Sequence, residues 1–397
     1  MKFKRLFVLL FLIFVLSGCA KKEARTVVKF ASWGSQSEVE ILKPILSQFE
    51  KENPDIKVEF VHIPQNYFQK IHLLFASNLA PDVIFMNNLY LPIYANAGVL
   101  EEAKCQDQSA KCSEFYQKSL EALSYDGKLY AIPRDVSNLV IYYNKDIFNK
   151  FGVKMPNKYW TFEDFLTISK KLTQDTNKDG KTDSWGISFE KDLLFYLPYL
   201  MSEGGGVLSD DLKTSIIDTP ESKKGLQFYF DLRNKHHVAP TEAEAGSATM
   251  AQMFLQGQLA MHLSGRWLVP KYREDAKFDW NVINFPAGDK GSVVPLDASG
   301  WAIAKSSKHK AESMRLIKFL SSKESIEKFS KSGLIVPARI DVSKADFLTS
   351  QKGQKPKSAK VFLDIIKTSK PTPVSVDYRE IQDELKQKTN YLFNSAN

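Results

Sequence analysis

Apolar residues in the first part of the chain follow two patterns, short segments rich in apolar residues and a spacing of three to four residues. The runs at 27–31, 56–63 and 82–86 predict three buried strands. The helical spacing predicts two intervening helices, whose apolar faces are Ile41, Leu42, Ile45, Leu46 and Phe49 in the first and Phe68, Ile71, Leu74 and Phe75 in the second.

This alternation of strands and helices predicts a parallel sheet with right-handed crossovers. Ligands of such sheets bind beyond the carboxyl ends of the strands. The residues that follow the first and third strands are therefore expected at the mouth of a cleft: Trp33, Gln36, Asn87 and Asn88.

The stretch from 125 to 144 has a polar centre between two apolar runs. Asp126-Gly127 predicts a tight turn, and the runs at 128–132 and 139–143 predict strands. Pro133 cannot donate to a sheet ladder, so we expect it to end the first strand or to lie at its edge. The two runs could form a hairpin or one ribbon between two lobes, and the rest of the sequence favours the ribbon.

Later segments predict a second lobe and a hinge. Helices are expected at about 161–171, where Thr161 to Asp164 resembles a capping box, at 220–234 and at 247–256. Strands are expected at 281–285, at 299–304, which returns to the first sheet, and at 335–339, which crosses between the lobes again. Three crossings form a hinge.

The length of 397 residues exceeds what one hydrophobic core usually organises, so two lobes are expected. We assign residues 26–136 and 286–334 to the N-terminal lobe. The C-terminal lobe then contains residues 137–285 and 335–397.

The first residues predict an export signal. Lys2, Lys4 and Arg5 precede an apolar segment, 6–16, that is too short to span a bilayer. Residues 16–19, Leu-Ser-Gly-Cys, resemble a bacterial lipobox, which implies a signal peptide at 1–18, acylation of Cys19 and a lipidated tether at 19–25. The alternative is an ordinary signal peptide that carries a cysteine.

The formal charge of +8 is spread along the chain. No dense basic block is interleaved with aromatic residues, so nucleic-acid binding has little support. A solvated basic surface is the preferred interpretation, and a positively lined cleft for an anionic ligand remains an alternative. Cys105 and Cys112 predict a disulfide, worth about 2.5 kcal/mol, if their β-carbons can approach each other.

Catalytic motifs are missing from the sequence: it has no phosphate loop, no G-x-S-x-G and no H-E-x-x-H. One segment matches the start of an EF-hand calcium loop, with ligand positions at Asp175, Asn177, Asp179, Lys181 and Asp183. Its twelfth position is Gly186, not the bidentate glutamate of a complete site. A structural calcium is therefore one interpretation, and a polar Asx-type turn without metal is the favoured one.

Several motifs, taken in order, resemble one protein family. They are G-K-L-Y-A-I-P at 127–133, L-V-I-Y-Y-N-K-D-I-F-N-K-F-G at 139–152, P-D-V-I at 81–84, A-G-V-L at 97–100, F-L-Q-G at 254–257 with Ala260-Met261, G-R-W at 265–267, S-G-W-A-I at 299–303 and L-I-K-F-L at 316–320. The chain resembles extracellular solute-binding proteins, family 1, the sugar-type receptors of ABC importers.

The resemblance implies an α/β chain with a two-lobed, type II periplasmic-binding-protein-like fold. Each lobe would have a mostly parallel sheet flanked by helices, and the strand at 281–285 would return the chain across the hinge. It further implies an exported, membrane-anchored monomer facing the periplasm or cell exterior, without catalysis or a required cofactor. A sugar ligand and the subunits of a membrane permease would be its partners.

Aromatic side chains are the first candidates for the sugar site, because an indole stacks on the apolar face of a pyranose ring. Trp33, Trp267 and Trp301 follow strand ends or lie beside glycine, and Trp267 is the strongest candidate. Tyr199 and the glycines at 204–206 are weaker candidates, and Trp160 and Trp280 are expected in the core.

Polar candidates supply hydrogen bonds to hydroxyl groups. They are Gln36, Asn87, Asn88, Arg134, Asp135, Asn138, Arg266, Asp297 and Arg339. For each arginine the alternative is an interlobe salt bridge, and for Asp297 a turn. A phosphorylated polyol or another anion is the main alternative ligand. A secreted glycan hydrolase and a surface adhesin are the rival functions.

Overall fold

The computed structural model describes residues 25–103, 112–345, 353–377, 380, 381, 383–387 and 389. The predicted signal peptide, Cys19 and Cys105 lie outside these residues. Cys112 is disulfide-bonded. Within the described ranges, no helix has the length and apolar character needed to cross a membrane.

The strands in chain order are β1 (Thr26–Ser32), β2 (Ile56–His62), β3 (Val83–Asn87), β4 (Ser124–Tyr125), β5 (Lys128–Leu129), β6 (Ile132–Asn144), β7 (Met261–Gly265), β8 (Trp280–Ile283), β9 (Pro295–Ile303), β10 (Val336–Pro337) and β11 (Lys370–Pro371).

The α-helices are α1 (Gln36–Glu52), α2 (Tyr67–Ala76), α3 (Leu91–Asn96), α4 (Gln117–Ala122), α5 (Lys145–Lys150), α6 (Phe162–Leu172), α7 (Leu193–Glu203), α8 (Pro220–Asn234), α9 (Glu242–Ala245), α10 (Met250–Leu255), α11 (Val269–Asp275), α12 (Lys310–Leu320), α13 (Lys323–Lys331), α14 (Ile340–Ala345) and α15 (Val361–Asp364). Short 3-10 turns cover Cys112–Glu114, Arg266–Leu268 and Ile365–Lys367.

The first sheet has the predicted parallel arrangement. β1 pairs in parallel with both β2 and β3, and α1 and α2 connect these strands. The predicted apolar face of α1 is buried at Leu42, Ile45, Leu46 and Phe49, because those positions recur on one side of the helix. We call the region around β1, β2 and β3 the first lobe.

One strand joins the two parts of the molecule. β6 is a single strand of 13 residues, so the ribbon interpretation of this stretch is confirmed. Its first half pairs with β9, and its second half pairs with β7 and β8. Pro133 lies inside the strand and does not end it, which corrects the sequence expectation. The pairing with β9 shifts register between Pro133 and Asp135, so the ladder is irregular where the proline lacks an N–H.

We call the region around β7 and β8 the second lobe. Both strands run antiparallel to β6, on its two sides. The pairings at the centre of this sheet therefore differ from the mostly parallel pattern expected. β6 runs from the first lobe into the second, and both of its neighbours there, β7 and β8, run in the opposite direction.

The hinge contains more strands than the sequence predicts. β9 lies between β3 and β6, and β10 pairs with β6 on its other side, as the two further predicted crossings require. In addition, β11 pairs in parallel with the start of β9. β11 has only two residues, both exposed, and so produces no periodic pattern.

Candidate functional site

The floor of the site is one face of the hinge sheet. Asp135 of β6 lies opposite Ser299 of β9, and Ser137 lies opposite Asp297. Because side chains alternate along a strand, these four residues share one face. Polar side chains therefore cover the sheet at the point where the two lobes meet.

A cavity of about 180 Å³ lies against this floor. The first lobe contributes Trp33, which follows β1, and Glu38, which lies in the first turn of α1. The second lobe contributes Arg266 and Trp267, which follow β7. Two of the three candidate tryptophans thus line one cavity from opposite lobes. We call it the indole cavity.

The indole of Trp33 is supported by a group of aromatic rings. Its ring centroid is 4.2 Å from that of Phe85, 5.0 Å from that of Tyr67 and 5.4 Å from that of Phe68. Phe85 and Tyr67 are buried, so the indole is held by packing and needs no ligand to fix its position.

Arg134 forms the part of the floor nearest Trp33. Its guanidinium lies 4.1 Å above the ring of Phe85 and donates to Asp135 at 2.6 Å and to Glu38 at 3.3 Å. Burial raises the pKa of both carboxyl groups, and the adjacent guanidinium opposes that shift. Because Glu38 and Asp135 share the Arg134 guanidinium, this part of the site carries no excess positive charge.

The second-lobe wall is positioned by the end of β7. Arg266 is buried, and its Nε donates to the carbonyl of Ile335 in the crossing that leads into β10. Trp267 is 37% exposed, and its indole lies over Gly265. A side chain at residue 265 would occupy the same space as the ring, so the glycine permits this placement of the indole.

A second cavity, of about 370 Å³, lies further along the floor. Asp297 and Thr372 form its base, Leu89 and Tyr90 come from the first lobe, and the first turns of α7, including Phe195, come from the second lobe. Asn88 donates to Asp297 at 3.0 Å and accepts from the backbone N–H of Ala298. Burial raises the pKa of Asp297, and the bond from Asn88 opposes the shift.

A third cavity, of about 630 Å³, lies between α3 and α4 of the first lobe, the segment 204–216 of the second lobe and residues 370–374. It contains Asn88 and the candidate glycines Gly204, Gly205 and Gly206, but its walls are mostly aliphatic and include no aromatic residue. Its lining therefore lacks the ring faces that the sequence analysis required of a sugar site.

Three candidates lie in the core or in ion pairs. Tyr199 is fully buried among Phe162, Tyr229 and Phe285, and Trp301 is 1% exposed between Phe85 and Phe329.

Arg339 forms salt bridges with Glu114 and Asp341, each at 3.1 Å. A salt bridge was the alternative given for each candidate arginine. The side chains of Tyr199, Trp301 and Arg339 are therefore occupied by protein contacts in this structure, and their contact with a ligand stays a prediction. Trp160 and Trp280 are core residues, as expected.

The remaining polar candidates have local partners. Gln36 is exposed and donates to Glu40 within α1, and Asn87 accepts from the backbone N–H of Tyr90. Asn138 is buried, donates to the carbonyl of Phe362 and lies on the face of β6 opposite to the floor. Its side chain therefore points away from the indole cavity, because side chains alternate along a strand.

The loop at 175–183 is organised by its own backbone. Asp175 accepts from the N–H groups of Lys178, Asp179 and Gly180, and Asp183 accepts from those of Thr176 and Asn177. This is the Asx-type arrangement that the sequence favoured. Within the described chain, no cluster of three or more His, Cys, Asp or Glu side chains is arranged to hold a metal ion. The calcium interpretation stays a prediction.

Sequence reasoning missed several residues that line the two floor cavities. They are Glu38, Ser137, Ser299, Leu89, Tyr90, Phe195 and Thr372. A signal existed for Tyr90, because it lies three residues after the end of β3. Ser137 also had one, because it is two residues from Asp135 on a strand.

Comparisons with known proteins agree with this architecture. The profile of a family described as bacterial extracellular solute-binding protein matches residues 33–327. A putative binding protein of Brucella abortus is 23% identical over 338 residues, which are 84% of this chain and 80% of that protein.

Among solved structures, an ABC substrate-binding protein from Listeria monocytogenes in complex with cycloalternan is 27% identical, with a TM-score of 0.87 over 94% of this chain and 95% of its own. The maltose/maltodextrin-binding domain of Bdellovibrio bacteriovorus bound to maltotriose is 22% identical, with a TM-score of 0.79 over 94% and 95%. The second likeness shows the fold alone. Together they confirm the two-lobed fold class.

Proposed function

Because the chain belongs to the bacterial extracellular solute-binding protein family, we propose that it captures a sugar between its lobes for delivery to a membrane permease. The observation that carries this proposal is the indole cavity. Trp33 and Trp267 line it from different lobes, above a floor that includes Asp135 and Ser137. Indoles accept the apolar faces of a pyranose, and the floor offers partners for its hydroxyl groups.

An uncharged ligand is favoured over a phosphorylated polyol or another anion. That alternative depended on the candidate arginines and on the positive net charge of the chain. Arg134 is bonded to Glu38 and Asp135, and Arg339 is bonded to two other carboxylates away from both floor cavities. The indole cavity contains two acidic and two basic side chains, so its formal charges balance.

Binding is favoured over glycan hydrolysis. A glycosidase holds two carboxyl groups on either side of the bond that it cleaves. In the indole cavity both carboxylates contact the same guanidinium, that of Arg134. Both carboxylates are therefore held by one cation, and the relatives that the chain matches are described as binding proteins.

The proposed cycle uses the hinge. A ligand that touches Trp33 and Trp267 at once contacts both lobes, and it favours the closed form to the extent that it binds that form more tightly. β6, β9 and β10 cross between the lobes side by side and would absorb the rotation. The closed pair of lobes would then present a joint surface to the permease.

The anchor is a separate part of the proposal. Acylation of Cys19 would hold the exported protein at a membrane, so that the receptor stays near its permease. Partition into a detergent phase tests this: the full-length protein should enter that phase, whereas a Cys19→Ser variant should stay in the aqueous phase. Equal partition of the two proteins would exclude the anchor.

Titration calorimetry with maltotriose and cycloalternan tests the binding function. We expect heat of binding for at least one of them, a rise in melting temperature by mass action, and at least tenfold weaker binding by Trp267→Ala. Tyr159→Ala is the control, because Tyr159 is 76% exposed and lines none of the cavities described. The proposal fails if a wide panel of sugars gives no binding, or if both variants bind as the wild type does.

A further inference from the structure

Three of the large apolar side chains exposed in the described ranges belong to β1 and to the segment that leads from α2 into β3. They are Val27 at 40%, Leu73 at 63% and Leu79 at 69% exposed. The other exposed ones lie elsewhere, in the indole cavity, in the third cavity and in the second lobe: Trp267, Leu212 and Tyr159. We call the surface formed by Val27, Leu73 and Leu79 the lobe-end patch.

The lobe-end patch lies at the amino ends of the parallel strands. α2 returns the chain from the carboxyl end of β2, so its last turn and the segment after it lie at the amino end of β3. The backbone N–H of Lys29 donates to Asp82 at 2.9 Å, so the segment before β3 runs beside the first half of β1. Val27 is on the same face of β1 as Ala31, which packs in one buried cluster with Ile71 of α2. The patch is therefore on the α2 side of the sheet, at one end of it.

The predicted tether joins the protein at this same end. Thr26, the first residue of β1, pairs with Ile56, and Arg25 donates to the carbonyl of Ile56 and to Glu50. Cys19 is six residues before Arg25, and six residues span at most about 22 Å when fully extended. Acylation of Cys19 would therefore keep this end of the first lobe near the bilayer. The cleft is at the carboxyl ends of the strands, at the other end of β1.

The charges around the lobe-end patch suit an anionic lipid surface. Between Glu59 and Asp82 the sequence has no acidic residue, and Lys70 is its one Lys or Arg. Asp82 itself accepts from the N–H of Lys29 and from the hydroxyl of Ser307. The side chains of Lys29 and Lys70 are exposed. Basic side chains near a bilayer are attracted to anionic headgroups, and exposed apolar side chains can enter the boundary between headgroups and acyl chains.

Resting on the anchor proposed above, we infer that the lobe-end patch lies against the anionic surface of the membrane that holds the protein. Leu73, Leu79 and Val27 enter the headgroup boundary, and Lys29 and Lys70 face the anionic headgroups. The contact orients the tethered receptor so that its cleft opens away from the bilayer, toward the solution that carries the ligand. Lipid is favoured over a protein partner, because the short tether holds the patch beside the bilayer whether or not a permease is near.

Fluorescence of the full-length, acylated protein on vesicles of phosphatidylcholine and phosphatidylglycerol tests the inference. A Leu79→Cys variant carries an environment-sensitive fluorophore at residue 79. Tyr159→Cys, labelled in the same way, is the matched control, because Tyr159 is also a large exposed apolar residue but belongs to the second lobe. The label reacts at the new cysteine, since the thiol of Cys19 would be acylated and Cys112 is disulfide-bonded.

We expect the emission at residue 79 to rise about twofold on the vesicles and to fall when a lipid with a nitroxide headgroup is added. The rise should be smaller on vesicles of phosphatidylcholine alone, because the basic side chains then lose their anionic partners. Leu73→Asp, added to the labelled Leu79→Cys variant, should also reduce it. The label at residue 159 should not respond to the vesicles.

The outcomes separate this inference from the anchor and from sugar binding. If the protein enters the vesicles and the two labels respond alike, the inference is overturned and the anchor stands. If the protein stays in the aqueous phase, the anchor fails and the inference fails with it. If the label at residue 79 is unresponsive on vesicles while Leu79→Asp lowers sugar uptake by cells that carry the importer, the patch binds a protein partner and the inference is overturned. Leu79→Asp should leave sugar affinity in solution within about twofold, and a larger loss would place the patch in the binding function instead.

Discussion

The indole of Trp267 covers Gly265 so closely that a Cβ added at residue 265 would lie 1.8 Å from Cζ3 of the ring. The backbone of Gly265 has a φ of −97° and a ψ of 178°, a conformation that any residue adopts. The glycine is therefore required by the position of the indole and not by the backbone. One methyl group should be enough to move the ring out of the cavity.

We predict that Gly265→Ala weakens sugar binding at least tenfold while the protein stays folded, because it displaces one of the two indoles. Calorimetry and far-ultraviolet circular dichroism would measure the two effects. Gly206→Ala is a matched control, since the nearest atom to its added Cβ would be the end of the Ile216 side chain, at 3.3 Å, and the backbone oxygen of Leu208 would be at ordinary contact distance, 3.8 Å. Equal sugar affinity in the two variants would show that Trp267 does not contact the ligand.

Arg339 should contribute to stability and not to binding. It is 6% exposed, is bonded to Glu114 and Asp341, and donates to the carbonyl of Ser321 at 3.3 Å. The side chains of Glu114 and Asp341 are 37% and 42% exposed, so water can solvate them, and Arg339→Ala should lower the free energy of unfolding by about 1–2 kcal/mol through lost hydrogen bonds and packing. Denaturant titration measures that loss, and sugar affinity should stay within about twofold. A large loss of sugar affinity without a loss in the free energy of unfolding would show that Arg339 contacts the ligand.

The sequence predicts the parts of the fold that local patterns determine. Short apolar runs and helical spacing identify β1, β2, β3, α1 and α2, because each element buries its own apolar face. The same reasoning makes Trp33 a candidate, since it follows the end of β1. Trp267 was a candidate through its neighbouring glycine and the G-R-W motif of the resemblance. The structure of these elements and the positions of these residues depend mainly on residues that are near them in the sequence.

Local sequence patterns do not predict contacts between segments that are distant in the chain. Trp301 has a glycine beside it, as an exposed candidate would, yet its strand lies between β3 and β6 and its ring packs on Phe85. Arg134 and Arg339 have similar surroundings in sequence. Their roles differ because Glu38 approaches the first at the floor of the cleft, while Glu114 pairs with the second elsewhere.

Glu190 should make the stability of the protein depend on pH. Burial, with the nearby Asp192 carboxylate, raises the pKa of Glu190 to about 7. The folded state therefore favours the neutral carboxyl group. The stability that it contributes is complete below the ordinary pKa of about 4.3 and is lost as the pH rises through 7.

We predict that Glu190→Gln raises the free energy of unfolding at pH 8 by about 2 kcal/mol and changes it little at pH 4.5, because glutamine is neutral at both values. The figure is below the full value of about 1.4 kcal/mol per pKa unit, since the side chain is only half-buried. Denaturant titrations at the two pH values measure the difference. An equal effect at both would show that Glu190 titrates normally.

The cluster of Arg134, Glu38 and Asp135 gives a prediction of opposite sign and larger magnitude. Arg134→Ala removes the cation that two carboxylates share, and the side chain of Asp135 is only 6% exposed. Breaking a buried ion pair costs about 3–5 kcal/mol because it leaves an uncompensated charge. We therefore expect a loss of that size in the free energy of unfolding at pH 7.5.

The loss should shrink at low pH. The pKa values of Glu38 and Asp135 are already raised by burial, and without the guanidinium they should rise further. Protonation then removes the uncompensated charge in the folded state, so the loss should be smaller at pH 5 than at pH 7.5. Arg315→Ala is the control, because its ion pair with Asp55 is exposed and should contribute little at either pH. A loss from Arg134→Ala that is equal at the two pH values would mean that packing on Phe85, and not the shared charge, is what the guanidinium supplies.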